Sequence, residues 1–274
     1  MRADGPNALI VAISGCSSSG KTTLARLLRD IFPGTFILHQ DDFYRPEKEL
    51  PSKDGLLDWD CAGAIDVPAM ADALCYIRQH AAFPPTLLSK EDQNSLGKCP
   101  VPETLIAALR SKVHQALPAT HPLRTGTLRL CILDGFLLYA PSMAAIHPHL
   151  DVKFFVRTSR ARAKARREAR DGYVTVEGFW TDPPGYVDRI VWPNYVEGHA
   201  WMFEGGDVEG SYDERVLRRE GIEVVRGVGV DCDLDVVLPW MVDALMDEVE
   251  KHGGGMDGEK GSREAADVDV DVDG

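Results

Sequence analysis

The stretch Gly15-Cys16-Ser17-Ser18-Ser19-Gly20-Lys21-Thr22 constrains this chain more than any other. It fits G-x-x-x-x-G-K-[ST] at every position, the pattern of a loop that wraps phosphate groups. Glycines admit backbone angles that let successive N–H groups converge as an anion nest. A helix beginning near Lys21 points its positive dipole end at the phosphates. Lys21 then reaches the terminal phosphates as a mobile cation, and the Thr22 hydroxyl can hold Mg²⁺. On this reading Gly15, Ser17, Ser18, Ser19, Gly20, Lys21, Thr22 and Thr23 bind nucleotide.

Such a loop needs a strand before it and a helix after it, and both are legible. Residues 8–14 (ALIVAIS) form an unbroken apolar run, suited to a central parallel strand buried on both faces. Leu24, Leu27, Leu28 and Ile31 then recur at helical spacing until Pro33-Gly34. Further strands are predicted at 35–39, 128–133, 152–156 and 222–230, and further helices at 67–80, 104–117, 157–170 and 235–252. Alternating strands and helices imply an α/β fold, layered around a mostly parallel five-stranded sheet. The expected organisation is one domain over 1–252, with an insertion at 83–126 and a lid at 157–173. From 253 to 274 the chain carries Gly and acid and no aromatic residue, and it reads as a disordered acidic tail.

Composition narrows the partners. A net charge of -13 argues against nucleic acid, whose binders present a basic face. Cys16, Cys61, Cys75, Cys99, Cys131 and Cys232 form no C-x-x-C pair, so neither a disulfide framework nor a zinc site is expected. No secretory signal and no membrane-length apolar run is visible. A soluble monomer without membrane contact is expected, in the cytoplasm or, alternatively, the nucleus.

Ligands of open α/β sheets gather at the carboxyl ends of the strands. Asp41 and Asp42 follow the second strand, and Asp134 ends the third. Asp134 is placed as a Mg²⁺ partner, and Asp41 as an acceptor of the proton from an attacking hydroxyl. Neighbours on an extended chain point opposite ways, so one of Asp41 and Asp42 is expected to face the site. The stretch RTSRARAKARREAR (157–170) reads as a mobile lid that closes over phosphate and excludes water. Aromatic residues cluster in the loops near these ends: Phe43-Tyr44, Trp59, Tyr173, Phe179-Trp180 and Tyr186. Stacking of a flat ring would use such residues. A GTP switch is not supported, because no Asn-Lys-x-Asp run is present, and a motor ATPase would sit in a larger machine.

The succession SGxxxSGKTTLA, QDDFYRPE, DWD, LDGFLLY, an Arg-rich helix and DPPGYVDxxVWPxY resembles the nicotinamide riboside kinases, of the uridine kinase-like branch of phosphate-loop kinases. The resemblance spans about 10–195. It implies the three-layer phosphate-loop kinase fold with an Arg-rich lid helix. It also implies phosphorylation of a ribose 5′-hydroxyl by ATP with Mg²⁺, GTP being the alternative donor. Asp41 would be the general base on the 5′-hydroxyl, with Tyr44 beside it in the substrate site, and Lys21 would be the catalytic cation. Thr22 and Asp134 would form the metal site. Asp60 would take the ribose hydroxyls, and Trp59 and Tyr173 would sandwich the nicotinamide ring, with Trp180 as the alternative to Tyr173. Arg167 would contact the riboside, Arg166 and Arg170 would close on the ATP phosphates, and Asp182 would flank the substrate pocket. The implied substrates are nicotinamide riboside and nicotinic acid riboside, on the way to NAD. A uridine/cytidine kinase is the alternative.

Overall fold

Ala8–Ser14 forms β1, buried at every residue, as its apolar run predicts. It leads through the phosphate loop into α1 (Lys21–Ile31) and on to β2 (Thr35–His39). A small hairpin follows, β3 (Ser52–Lys53) with β4 (Leu56–Leu57), and then α2 (Val67–His80), α3 (Glu103–Ala116) and the single turn α4 (Pro122–Thr125). Next come β5 (Arg129–Asp134), β6 (Val152–Phe155), α5 (Arg160–Glu168) and a second hairpin, β7 (Tyr173–Val174) with β8 (Phe179–Trp180). A π-helical turn at Val187–Val191 runs into α6 (Trp192–His199), followed by α7 (Glu214–Glu220), β9 (Ile222–Glu223) and α8 (Leu234–Gly253). This computed structural model describes residues 7–87, 89, 98–170, 172–174 and 178–253. The acidic tail expected from 253 onward lies outside the described residues beyond 253, as do parts of the 83–126 segment and of the lid.

The main sheet has the order β2-β5-β1-β6-β9, and all four pairings are parallel. Alternation along each strand divides the core in two. Ala8, Ile10 and Ala12 of β1, with Cys131 and Leu133 of β5, face the layer built on α2, α6 and α7. Leu9, Val11 and Ile13, with Leu130 and Ile132, face α1, α3 and α8. The helix expected at 104–117 is α3, whose Ile106, Leu109 and Val113 belong to that second layer. Strand order reverses on either side of β1, so the crevice at its carboxyl end is where the phosphate loop emerges. Among the described residues, no helix is long and apolar enough to cross a membrane.

Three sequence expectations are revised. The fifth strand, expected over 222–230, pairs with β6 only at Ile222 and Glu223. Beyond it the chain has left the ladder: Arg226 reaches Glu214 (2.9 Å), and Gly227 adopts a left-handed φ of 72°. The lid helix starts at Arg160 rather than 157, because Ser159 caps it by accepting the Arg162 N–H (3.2 Å). The chain carrying Asp41 and Asp42 is not extended: Gln40–Phe43 is a 3₁₀ turn, so alternation along a strand does not govern where the two acids point.

One buried polar group gives this core a pH signature. His199, at the end of α6, packs its ring on Tyr195 and Phe155, and its Nδ1 lies 2.8 Å from the Tyr195 carbonyl. Burial lowers it from 6.5 to about 4, with Lys21 adding to the effect. The unfolded chain therefore binds the extra proton between those values, and stability rises with pH across that window. The contribution is up to about 3 kcal/mol, lost progressively as pH falls below 6.5. Urea unfolding between pH 6.5 and 5 should show this slope, and His199→Phe should flatten it; an unchanged slope in the variant would contradict the assignment.

Candidate active site

The phosphate loop is shaped by close approach. A Cβ on Gly15 would lie 1.8 Å from the Val156 carbonyl oxygen, and φ at Gly15 is 144°. Gly20 takes φ 106° at the head of α1, and no side chain caps that helix. Its first-turn N–H groups are thus presented to the loop, with no acidic residue in the turn. The side-chain oxygens of Ser18 and Ser19 are buried and have no protein partner. A burial of that kind is costly unless a ligand supplies the hydrogen bond, and phosphate oxygens fit the need. Thr23, predicted with them, lies in the first turn of α1.

Lys21 is 7% exposed, and its ammonium donates to the Cys16 carbonyl (2.9 Å). Burial lowers its pKa, with Arg170 adding to the effect and Asp134, the Cys16 thiol and Asp41 opposing it. Both predicted carboxylates therefore lie within electrostatic reach of this cation. Asp134 sits at the carboxyl end of β5, in register with Ile13 of β1 and His39 of β2. Its Oδ2 accepts the Thr22 hydroxyl (2.6 Å) and lies 3.4 Å from His39 Nδ1. Burial would push its carboxyl up, but His39, Lys21 and Thr22 outweigh that and hold it below the usual range. Its Oδ1 is buried without a protein partner. The Thr22 hydroxyl and this carboxylate oxygen are hard donors that fit Mg²⁺. The described residues contain no cluster of three His, Cys, Asp or Glu side chains able to hold a metal, so phosphate and water oxygens would complete the shell.

The helix α5, expected as part of a lid, packs against the loop. Asp231 holds its base, accepting from Thr158 (2.7 Å) and from the Ser159 amide and hydroxyl (both 2.8 Å). Arg160 and Lys164 pair with Asp188, and Arg162 with Asp233. Towards the carboxyl-terminal end of α5, Arg166 and Arg167 reach the loop. Arg166 donates to the Ser18 carbonyl (3.3 Å), and Arg167 to the Ser17 hydroxyl (3.0 Å). Arg170 lies over the Tyr173 ring, 5.3 Å from its centroid.

Arg167 is also the centre of a buried ion cluster. It donates to both oxygens of Asp60 (2.7 and 2.9 Å) and to both of Asp182 (2.6 and 3.2 Å). Trp180 Nε1 donates to Asp182 as well (2.9 Å). Burial opposes the charge on Arg167, yet Asp60, Tyr173 and Asp182 hold its pKa well above the ordinary value. Burial pushes the Asp60 carboxyl up, its paired guanidinium opposing. Arg167, Tyr173, Asp182 and Tyr186 line a cavity of about 230 Å³.

The predicted aromatic residues divide. Tyr173 lines that cavity beneath Arg167 (5.1 Å to the ring centroid), whereas Trp59 and Trp180 do not line it. Trp59 is buried against Tyr44 (5.2 Å) and Trp180 (5.6 Å), in a small core shared with Leu50, Tyr186 and Ile190. The Tyr44 phenol is pushed well above its ordinary range by burial, with Asp41 and Asp60 adding to the effect. Gln40 was not expected to matter. Fully buried, it accepts the Phe136 and Leu137 N–H groups (2.9 and 3.2 Å) and so ties the Asp41 turn to the loop after Asp134.

Removing the Arg167 charge strands two carboxylates in a dry site. Arg167→Met should lower unfolding free energy by about 3 kcal/mol or more. Adding Asp60→Asn to it should recover part of the loss, as read by urea denaturation; additive losses in the double variant would show that the two charges are not coupled.

No family model matches the chain. Curated relatives do, among them the following three. Nicotinamide riboside kinase of Schizosaccharomyces pombe is 40% identical over 209 residues, covering 76% of this chain and 86% of the relative. That of Saccharomyces cerevisiae is 33% identical over 210 residues, covering 76% and 84%. That of Eremothecium gossypii is 32% identical over 234 residues, covering 84% and 91%. With a parallel sheet, an uncapped phosphate-loop helix and an arginine-rich helix bonded to the loop, a chain this similar to these relatives belongs to the nicotinamide riboside kinase family.

Proposed function

We propose that this protein transfers the terminal phosphoryl group of ATP to the 5′-hydroxyl of nicotinamide riboside, giving the mononucleotide for NAD synthesis. The observation that carries the reading is the position of Lys21, within electrostatic reach of both Asp41 and Asp134 at the mouth of an uncapped helix. One carboxylate is then available to the acceptor and the other to the metal. The names of the relatives support the choice of substrate. Nicotinic acid riboside differs only in the acid group and is the second substrate of this reading.

The transfer is an in-line displacement. The 5′-oxygen forms a bond to the γ-phosphorus as the bond from that phosphorus to the β–γ bridging oxygen breaks, and ADP leaves. Asp41 takes the proton of the hydroxyl. Lys21, the Gly15–Thr22 loop and Arg166 hold and neutralise the transferring phosphoryl group. Thr22 and Asp134 would hold Mg²⁺, which supplies further charge neutralisation at the phosphate oxygens when bound. Arg170 supports the closed lid, which keeps out water, a competing acceptor. Asp60 takes the ribose diol beside Arg167. Tyr173 and Asp182 line the cavity for the ring, and Trp59 acts from the wall behind.

Incubation with labelled ATP and each nucleoside should give strong transfer to nicotinamide riboside and weak or no transfer to uridine. Uridine turnover without riboside turnover would overturn the substrate assignment. Asp41→Asn should lower kcat by about 10²–10⁴-fold with ATP affinity within about twofold of wild type. Unchanged turnover would remove Asp41 as the base.

A further inference from the structure

The segment Leu57–Asp60 is held more firmly than its surface hairpin requires. Asp58, beside the ligand-facing Asp60, is 4% exposed and takes no part in the reaction above. Its two carboxylate oxygens each lie 2.9 Å from Asn194 Nδ2, and Oδ1 also accepts the Asp60 N–H (3.0 Å). Asn194, on α6, is itself buried, and its side-chain oxygen accepts Lys53 Nζ of β3 (2.8 Å). The Asp58 N–H donates to the Pro51 carbonyl (2.8 Å). On either side, the Tyr186 hydroxyl accepts the Trp59 N–H and donates to the Leu57 carbonyl, both at 3.0 Å. The Asp58 carboxylate and N–H, the Leu57 carbonyl and the Trp59 N–H are thus each directed by a partner from the Tyr186–Asn194 stretch or from the hairpin end.

Packing alone would hold a hairpin with apolar residues. A buried carboxylate costs several kcal/mol unless its bonds are well made, so its presence asks for a directional task. The bond from the Asp60 N–H to Asp58 identifies that task, because it fixes the backbone from which the Asp60 carboxylate projects towards Arg167.

We propose that Asp58 and Asn194 are positioning residues for the riboside: their hydrogen bond orients Asp60 so that its carboxylate meets both Arg167 and the ribose diol. The inference rests on Asp60 being the diol acceptor. Lys53 completes the device by setting the orientation of the Asn194 amide, its oxygen towards Lys53 and its nitrogen towards Asp58. Neither Asp58 nor Asn194 is bonded to the phosphate loop, and Arg167 keeps its bonds to Asp182 and Ser17 when the pair is broken, so the loss falls on riboside binding.

A charge-conserving swap tests this. Asn194→Asp sets a second carboxylate against Asp58 and should raise the riboside KM about tenfold or more, leaving the ATP KM within about twofold. Asp58→Asn/Asn194→Asp restores a donor facing an acceptor, keeps an acceptor for the Asp60 N–H, and gives Lys53 a carboxylate partner. It should return the riboside KM to within about threefold of wild type. If Asn194→Asp does not fold, Asn194→Leu, which adds no charge, carries the same expectation for the two KM values. A riboside KM that does not move, or that moves together with the ATP KM, overturns the proposal, as does a folded swap variant without rescue. Asp60→Asn separates the two assignments. If it leaves the riboside KM unchanged, Asp60 is not the diol acceptor and the inference falls with it. If it raises that KM while Asn194→Asp does not, only the positioning role is overturned.

Discussion

The guanidinium of Arg167 is the point on which the rest of the site depends. A cation taken out of water must be matched by good geometry, or it destabilises the fold. Here it receives two oxygens from Asp60, two from Asp182 and the Ser17 hydroxyl. These three partners belong to three separate stretches: the segment after the β3–β4 hairpin, the segment after β8, and the phosphate loop. One side chain of the lid therefore joins the two ligand-bearing regions. The pairing that neutralises Asp60 and Asp182 also brings α5 against the loop, so the helix and these two carboxylates are ordered together.

The phosphate side obeys the opposite logic. Its groups are left incomplete rather than paired. The head of α1 has no capping side chain, Ser18 and Ser19 keep buried hydroxyls without protein partners, and Asp134 keeps one oxygen unengaged. An anionic ligand with its cation satisfies all of these together. A site of paired charges beside a site of unsatisfied donors suits two ligands that arrive separately and react where the two regions meet, near Lys21 and Asp41.

Much of this was legible in the sequence, and the exceptions share a cause. The roles of Gly15 and Lys21 follow from a contiguous motif whose geometry is local. The placing of Arg166 and Arg167 by the loop follows from the family resemblance and not from spacing, which groups Arg167 with Arg160 and Lys164, and Arg166 with Arg162. The strand expected to 230 stops at Glu223, because Val224 and Val225 carry their apolar signal by packing into the two core layers rather than by pairing. Trp59 carried the signal of a ring-stacking residue, but whether an aromatic faces a ligand or a core depends on neighbours that spacing does not show. Gln40, Tyr186 and Asn194 act through partners 96 to 141 residues away in the chain. Only the folded topology brings the DPPGY and VWPNY stretches onto the DWD segment.

The central claim is that the riboside lies with its diol on Asp60 and its 5′-oxygen on Asp41 while the lid holds the triphosphate. A crystal structure with nicotinamide riboside and a non-hydrolysable ATP analogue measures this directly. The account predicts the 5′-oxygen within about 3 Å of an Asp41 carboxylate oxygen and in line with the γ-phosphorus, with both diol oxygens on Asp60 and the Arg167 pairing retained. A riboside whose 5′-oxygen points away from Asp41, or whose diol lies clear of Asp60, would contradict it.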